Sequence, residues 1–301
     1  MVTTGIIGAG NLGANTAFFL AERNVGPVLV HDIQEGLSTG KTLDIMEMAP
    51  LGRYRYPVHG TDSEEKVLES DVLLLAAGSG MTPEKTRETL YEENRELVAG
   101  LASRLSGHEG IVVLATEPVD ELVTLFVRES GMDSRRVLGL GACLDAARLQ
   151  YAVSRELGCF AEDVDALVVG RHDLSMIMPA DYVRVSGIPV EHLIENNRLQ
   201  AVFREVREAE DTILGLNNRS AAFYAPASVA ADLVEAIVAD TGRVLSVSSV
   251  LDNRLGVNGA ALSLPAMVGA GGIRQIVEPK LTDDQKRAFA ESGAAVNRLV
   301  G

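Results

Sequence analysis

Three groups of residues in this chain have types and spacings suited to acid–base and anion chemistry. Asp145 and Arg148 stand three apart in Leu144-Asp145-Ala146-Ala147-Arg148, which puts a carboxylate and a guanidinium on one helix face. An exposed pair of that kind contributes little. Here the run from Leu140 to Leu149 is apolar, and charges in such a setting need partners. His172 follows the strand-like Leu167-Val168-Val169 in Gly170-Arg171-His172-Asp173-Leu174-Ser175. An imidazole with an ordinary pKa near ~6.5 could give or take a proton there. A lone loop histidine is as readily a surface or core residue, and His31, His59, His108 and His192 have no comparable setting. The third group is a glycine-bracketed loop from Ala76, Ala77 and Gly78 through Met81 to Thr86-Arg87. It could swing as a lid carrying Arg87 over a bound molecule, or simply connect two elements with Arg87 as a solvated first-turn charge.

The elements that must position these groups are announced by the first thirty-two residues. Val2 to Gly8 reads as a short strand running into Gly8-Ala9-Gly10-Asn11-Leu12-Gly13. Asn11 to Arg23 reads as a helix, with Leu12, Thr16, Phe19 and Leu20 on one face, and the apolar run Pro27 to His31 ends at Asp32. Gly8 permits the tight turn, Gly10 lets backbone approach a pyrophosphate, and Gly13 lets helix pack on strand. The free N–H groups of the helix start, around Asn11 and Leu12, face the phosphates. Asp32, 19 residues after Gly13, is placed to bond the adenosine ribose hydroxyls and to repel a 2′-phosphate, which favours NAD over NADP.

Strand-like runs at Gly5 to Gly8, Val28 to His31, Val72 to Ala76, Ile111 to Ala115 and Val137 to Leu140 alternate with helical stretches. The helices lie at Gly36 to Met48, Arg87 to Leu105 and Val119 to Glu129. This alternation predicts an α/β fold, a Rossmann-type doubly wound parallel sheet, whose ligands bind at the carboxyl ends of the strands. Those ends are Gly8, Asp32, Gly78, Thr116 and Leu140. The second half reads as an α+β substrate domain. It has helices at Asp145 to Leu157, Val190 to Leu216 and Pro226 to Ala239, and strands at Val164 to Val169, Val244 to Val250 and Ala261 to Val268. Thr282-Asp283-Asp284-Gln285 reads as a capping box before a last helix over Ala288 to Val300. The boundary is expected at Gly139-Leu140-Gly141, giving an NAD-binding domain over 1–141 and a catalytic domain over 142–301.

With 301 residues there is room for two such domains, and 47% hydrophobic with 23% charged residues is ordinary for a globular enzyme. A net charge of -15 without a basic patch argues against nucleic acid. It also means that any site for anions must build its positive potential locally. Cys143 and Cys159 read as buried thiols of a reducing compartment. A strand starting at Val2 leaves no room for a signal peptide, and no apolar run approaches the ~20 residues of a membrane span, so a cytoplasmic protein is expected.

Taken together, GAGNLG, the loop ending in Thr86-Arg87, Leu144-Asp145-Ala146-Ala147-Arg148, His172, Phe223-Tyr224-Ala225-Pro226-Ala227 and Gly271-Gly272-Ile273 resemble the lactate/malate dehydrogenase family along the whole chain. The resemblance implies NAD as cofactor, no metal, a small-molecule substrate and a homodimer or homotetramer. It implies that His172 is the proton donor and acceptor, and that Asp145 orients it and stabilises its cation. Arg148 is then the bidentate clamp on the substrate carboxylate. Arg87 is the lid arginine that polarises the reacting carbonyl, and Ala77, Gly78 and Thr116 join the cofactor site. The implied reaction interconverts a 2-oxo acid and a 2-hydroxy acid.

Three departures surround the reacting centre. Met81 stands six residues before Arg87, where malate enzymes of the family carry an arginine for the second carboxylate. Oxaloacetate thereby loses its usual partner, which points to a substrate other than malate or lactate. Glu117, in Thr116-Glu117-Pro118, replaces the family's asparagine. A carboxylate there is protonated, pairs with Arg148 or Arg87, or faces a cationic group on the substrate. The family's His-Gly-Asp-Ser becomes His172-Asp173-Leu174-Ser175. Two alternatives stay open: a dehydrogenase acting outside the 2-hydroxy acids, and an NAD-binding protein that kept the fold without catalysis.

Overall fold

A computed structural model describes residues 1–217 and 221–301. β1 (Thr4–Ile7) leads through the glycine turn into α1 (Asn11–Glu22), followed by β2 (Val28–His31), α2 (Leu37–Glu47), α3 (Ala49–Gly52), β3 (Val58–Thr61) and α4 (Glu64–Leu68). β4 (Val72–Leu75), α5 (Arg87–Arg104), β5 (Ile111–Leu114), α6 (Val119–Ser130) and β6 (Val137–Gly139) follow. These six strands are all parallel, and the switch in strand order falls between β1 and β4. β4 and β5 are covered on both faces and read as unbroken Val/Ile/Leu runs for that reason.

The second half contributes α7 (Ala142–Leu157), the short β7 (Val164–Asp165), β8 (Arg184–Val185) and β9 (Ile188–Pro189), then α8 (Asn196–Arg207), α9 (Ala209–Asn217) and α10 (Tyr224–Val238). β10 (Arg243–Val250), β11 (Ala261–Gly269), β12 (Gly272–Ile276) and α11 (Asp283–Val300) end the chain. β10, β11 and β12 extend the parallel sheet antiparallel to a total of nine strands, joined where Ser248 opposes Gly139 of β6. One sheet thus runs through both halves of the chain.

Local chemistry sets the ends that matter for the site. The Thr86 hydroxyl accepts from the Thr89 N–H and starts α5, placing Arg87 in its first turn. Thr282 and Gln285 form the capping box of α11, which begins five residues before the expected Ala288. α6 buries Leu122, Val123 and Phe126 completely, each contributing about 1.5–3 kcal/mol. The same helix also buries two carboxylates of its first turn, Asp120 and Glu121, and these require partners.

Several expected elements differ. The strand expected over Val164 to Val169 is paired as a strand only at Val164–Asp165. Val169 and Gly170 instead make isolated bridges to Ile177 and Ser263. The helix expected over Val190 to Leu216 is a 3-10 turn at Val190–His192, then α8 and α9 separated at Glu208. That break lets α9 set off in its own direction, with Glu210 in its first turn reaching Arg148. Among the described residues, no helix is long and apolar enough to cross a membrane.

Candidate active site

The glycine turn is built as tightly as its sequence implies. Gly8 has φ +103°, and a Cβ on Gly13 would lie 1.9 Å from the Gly8 carbonyl oxygen. By contrast, a Cβ on Gly10 would meet nothing within 4 Å, so the backbone there is open to a ligand. Asp32 directly follows β2, with one carboxylate oxygen accepting from Ala9 N at 2.7 Å and the other from Gln34 N at 2.9 Å. Gly10, Asn11, Leu12, Ala77, Gly78 and Thr116 line a cleft of about 450 Å³ along the carboxyl ends of the strands. Thr116 steadies the adjoining loop by donating its hydroxyl to Ala77 O at 2.7 Å. These residues fit a dinucleotide: an open backbone at the helix start for the phosphates, and a carboxylate at the end of the second strand.

A second cavity, of about 520 Å³, abuts this cleft, and the two share Met81, Glu117, His172 and Glu210. The junction is therefore where a cofactor and a substrate would meet. A larger concavity of about 610 Å³, beside Cys143 and Arg243, contains none of these side chains.

His172 is fixed at the junction from three directions. Its Nδ1 lies 2.7 Å from Asp145 Oδ2, and Asp145 is fully buried on α7. Its backbone N–H donates to Asp120 Oδ2 at 2.7 Å, and its carbonyl accepts from Arg87 Nη1 at 2.7 Å. Nε2 is left facing the cavity, 3.7 Å from Glu117 Oε1. Burial by itself would lower the imidazole pKa, but the carboxylates of Asp145 and Glu117 outweigh it and push it up to about 10. Glu117 is itself raised, by burial first, against the opposing pull of His172 and Arg87. Arg148, on the turn of α7 after Asp145, pairs with Glu210 at 2.7 Å and lies 3.5 Å from Asp145 Oδ1. The remainder of its five donors stays available to a carboxylate.

Arg87 is placed otherwise than expected of a lid residue. Its Nε and Nη2 donate to the two oxygens of Glu121 at 3.3 and 3.0 Å, while Nη1 holds the His172 carbonyl. Arg171 bonds the same Glu121 through Nε at 2.8 Å and through Nη2. Glu121 is thus a fully buried carboxylate shared by two nearly buried guanidinium groups. Burial would lower the Arg87 pKa, yet Glu121, Glu117 and Asp120 together raise it. Asp120, beside this pair, is raised to about 7 by its burial and by Glu121, against the pull of Arg87.

Residues 2–139 match the family model described as lactate/malate dehydrogenase, NAD binding domain, and residues 142–298 match the one described as lactate/malate dehydrogenase, alpha/beta C-terminal domain. The chain belongs to the lactate/malate dehydrogenase family. It is thereby an NAD-dependent oxidoreductase acting on CH–OH groups. It is 36% identical to the malate dehydrogenase of Thermomicrobium roseum over 297 residues, covering 98% of this chain and 96% of that protein. Among solved structures it resembles Cryptosporidium parvum malate dehydrogenase, with TM-score 0.96 and 31% identity over 99% of this chain and 98% of the other. It also resembles that organism's lactate dehydrogenase, solved with lactic acid and nicotinamide adenine dinucleotide, with TM-score 0.94 and 27% identity over 99% and 96% of the two chains.

Of the residues singled out in the sequence of this family member, His172, Asp145, Arg148, Glu117 and Met81 meet around the junction. Arg87 reaches the cavity wall, but its guanidinium is turned toward Glu121. Four charged residues that shape the site carry no such signal: Asp120, Glu121, Arg171 and Glu210. In sequence they look like ordinary first-turn or surface charges, and only their burial and mutual pairing set them apart.

Proposed function

We propose that this dehydrogenase interconverts a 2-oxo acid and a 2-hydroxy acid whose tail differs from those of lactate and malate. The observation that carries the reading is the convergence of the His172–Asp145 pair and Arg148 on one cavity beside the dinucleotide cleft. Arg148 holds the substrate carboxylate, trading its contact with Glu210 for the ligand. Asp145 keeps Nδ1 protonated, so Nε2 delivers or collects the proton at the substrate oxygen. NAD supplies or accepts the hydride when bound, held by Gly10, Asn11, Leu12 and Asp32. Arg87 acts through the backbone of His172, whose carbonyl it fixes.

The tail is read from what the cavity offers it. Met81, an apolar side chain, stands in the cavity wall, and the resemblance to the family's malate enzymes implies an arginine for the second carboxylate at its position. We expect Met81→Arg to raise kcat/KM for oxaloacetate at least about tenfold, the worth of one good charge-assisted contact. A second reading rests on Arg207, which lines the same cavity and has no ion-pair partner among the described residues; it favours a diacid longer than oxaloacetate. A stopped-flow screen of NADH oxidation across 2-oxo acids separates the two. Apolar tails leading supports the first and long diacids the second. Oxaloacetate leading would overturn both.

Asp32 carries the proposed preference for NAD. Asp32→Ala is expected to shrink the ratio of NADH to NADPH affinity at least about tenfold, because the like-charge penalty against a 2′-phosphate disappears. Fluorescence titration reads this directly. Equal affinities in the unaltered protein would remove the claim.

A further inference from the structure

The reacting position carries a carboxylate as well as the imidazole of His172. Reducing C=O builds negative charge on oxygen, which donors and cations aimed at that atom stabilise. Here the neighbours of the atom served by His172 Nε2 include Glu117, whose Oε1 lies 3.7 Å from that nitrogen. The other oxygen of Glu117 accepts from Val119 N at 2.9 Å, so one oxygen is anchored while the other is presented to the cavity.

The cations that hold His172 and the clamp in place already have carboxylates, while Arg207, on the wall of the same cavity, has no ion-pair partner among the described residues. Arg87 and Arg171 converge on Glu121, and Arg148 lies between Glu210 and Asp145. His172 has Asp145 at 2.7 Å. Among the described residues the charged group within 4 Å of Glu117 is the His172 ring, at 3.7 Å and so beyond hydrogen-bond distance, which leaves Oε1 without a hydrogen-bond donor. A substrate carboxylate on Arg148 adds one more negative charge to this balance. A cation between His172 and Glu117 restores it, and keeps Glu117 ionised against the burial that raises its pKa.

We infer that the group seated between His172 and Glu117 is a protonated nitrogen, so that the site takes 2-imino acids and their 2-amino acid products. The inference shares with the preceding reading the use of Arg148 for the carboxylate and NADH as reductant. Hydride adds to the iminium carbon, the C=N π pair moves onto nitrogen, and NADH leaves as NAD⁺. The neutral amine then takes the proton of the His172 imidazolium and becomes an ammonium beside Glu117. Glu117 itself gives up and gains nothing; its charge stabilises the cation at both ends of the step.

The test compares six-carbon ligands of similar size that carry nitrogen or oxygen at the reacting position. Pipecolate and 2-hydroxyhexanoate are titrated calorimetrically into the protein saturated with NADH, where neither can react. The unaltered protein should bind pipecolate at least tenfold more tightly, and E117Q should invert the preference. E117N serves as a second variant, and retained NADH affinity shows that each is folded. A preference for 2-hydroxyhexanoate, or a ratio that neither variant moves, overturns the inference. Turnover is read separately, with 1-piperideine-2-carboxylate and 2-oxohexanoate. Oxidation of NADH by 2-oxohexanoate alone leaves the dehydrogenase reading standing and this one fallen. Silence with both compounds removes the apolar-tail reading of the substrate, and the binding ratio still decides the role of Glu117.

Discussion

His172→Asn is expected to lower kcat about a thousandfold while NADH affinity stays nearly intact, since a positioned acid–base group supplies about 10²–10⁴ in rate. The asparagine keeps a donor for Asp145 but has no proton to exchange at the position of Nε2. A variant with near-normal turnover would mean that another group handles the proton. The pH profile gives a second readout. With its pKa pushed up to about 10 against the opposing effect of burial, His172 is protonated throughout the neutral range. Reduction, which draws on the imidazolium, should hold through neutral pH and fall as pH passes about 10. Oxidation, which needs the neutral ring, should climb toward the same value. Folding stability has the same sign. The contribution of His172 is complete below the ordinary ~6.5 and is lost as pH rises through the folded value, because the folded state holds the extra proton. The groups facing the ring that set this window are Asp145, Glu117 and, opposing them, Arg148.

Glu121→Gln should be the most damaging change to stability, costing about 3–5 kcal/mol, the range found when one member of a buried ion pair is removed. Arg87 and Arg171 would lose the carboxylate they share in a nearly buried setting, keeping only Asp120 at 3.6 Å and Asp173 at 3.1 Å as counter-charges. Chemical denaturation measures the loss, and a cost below about 1 kcal/mol, the worth of an exposed pair, would show that solvent screens this cluster. Because Arg87 also holds the His172 carbonyl, the variant should lose activity beyond what unfolding explains at temperatures where it remains folded.

The sheet was legible because its signals are local. Gly8, Gly10 and Gly13 have steric reasons to be glycine, and β4 and β5 are apolar runs with both faces covered. β3 escaped notice since Val-His-Gly-Thr at the sheet edge buries only Val58. Within the site, His172, Asp145 and Arg148 could be found because spacing and strand ends place them. The buried charge cluster could not. Glu121 meets Arg171 across 50 positions of sequence, and Asp120 meets Ser248 across 128. Nothing in the first turn of a helix tells a buried acid from a solvated one. The same limit applies to Arg87: a lid arginine and one held by a buried acid share one position in sequence, and only the pairing with Glu121 on α6 shows where this guanidinium rests.

The three-sided anchoring of His172 bears on how this protein can change. Its main-chain N–H and carbonyl are gripped by Asp120 and Arg87, from the first half of the chain, while its ring is gripped by Asp145, from the second. The first half is therefore no interchangeable cofactor module. A hybrid that joins a relative's first 139 residues to this chain's remainder brings a new cradle for the histidine as well as a new dinucleotide cleft. Arg171 would stay behind without Glu121 unless the relative happened to supply an acid there. Arg87, Asp120, Glu121 and Arg171 are thus a unit of inheritance that straddles the seam, and drift at any one of them is constrained by the other three.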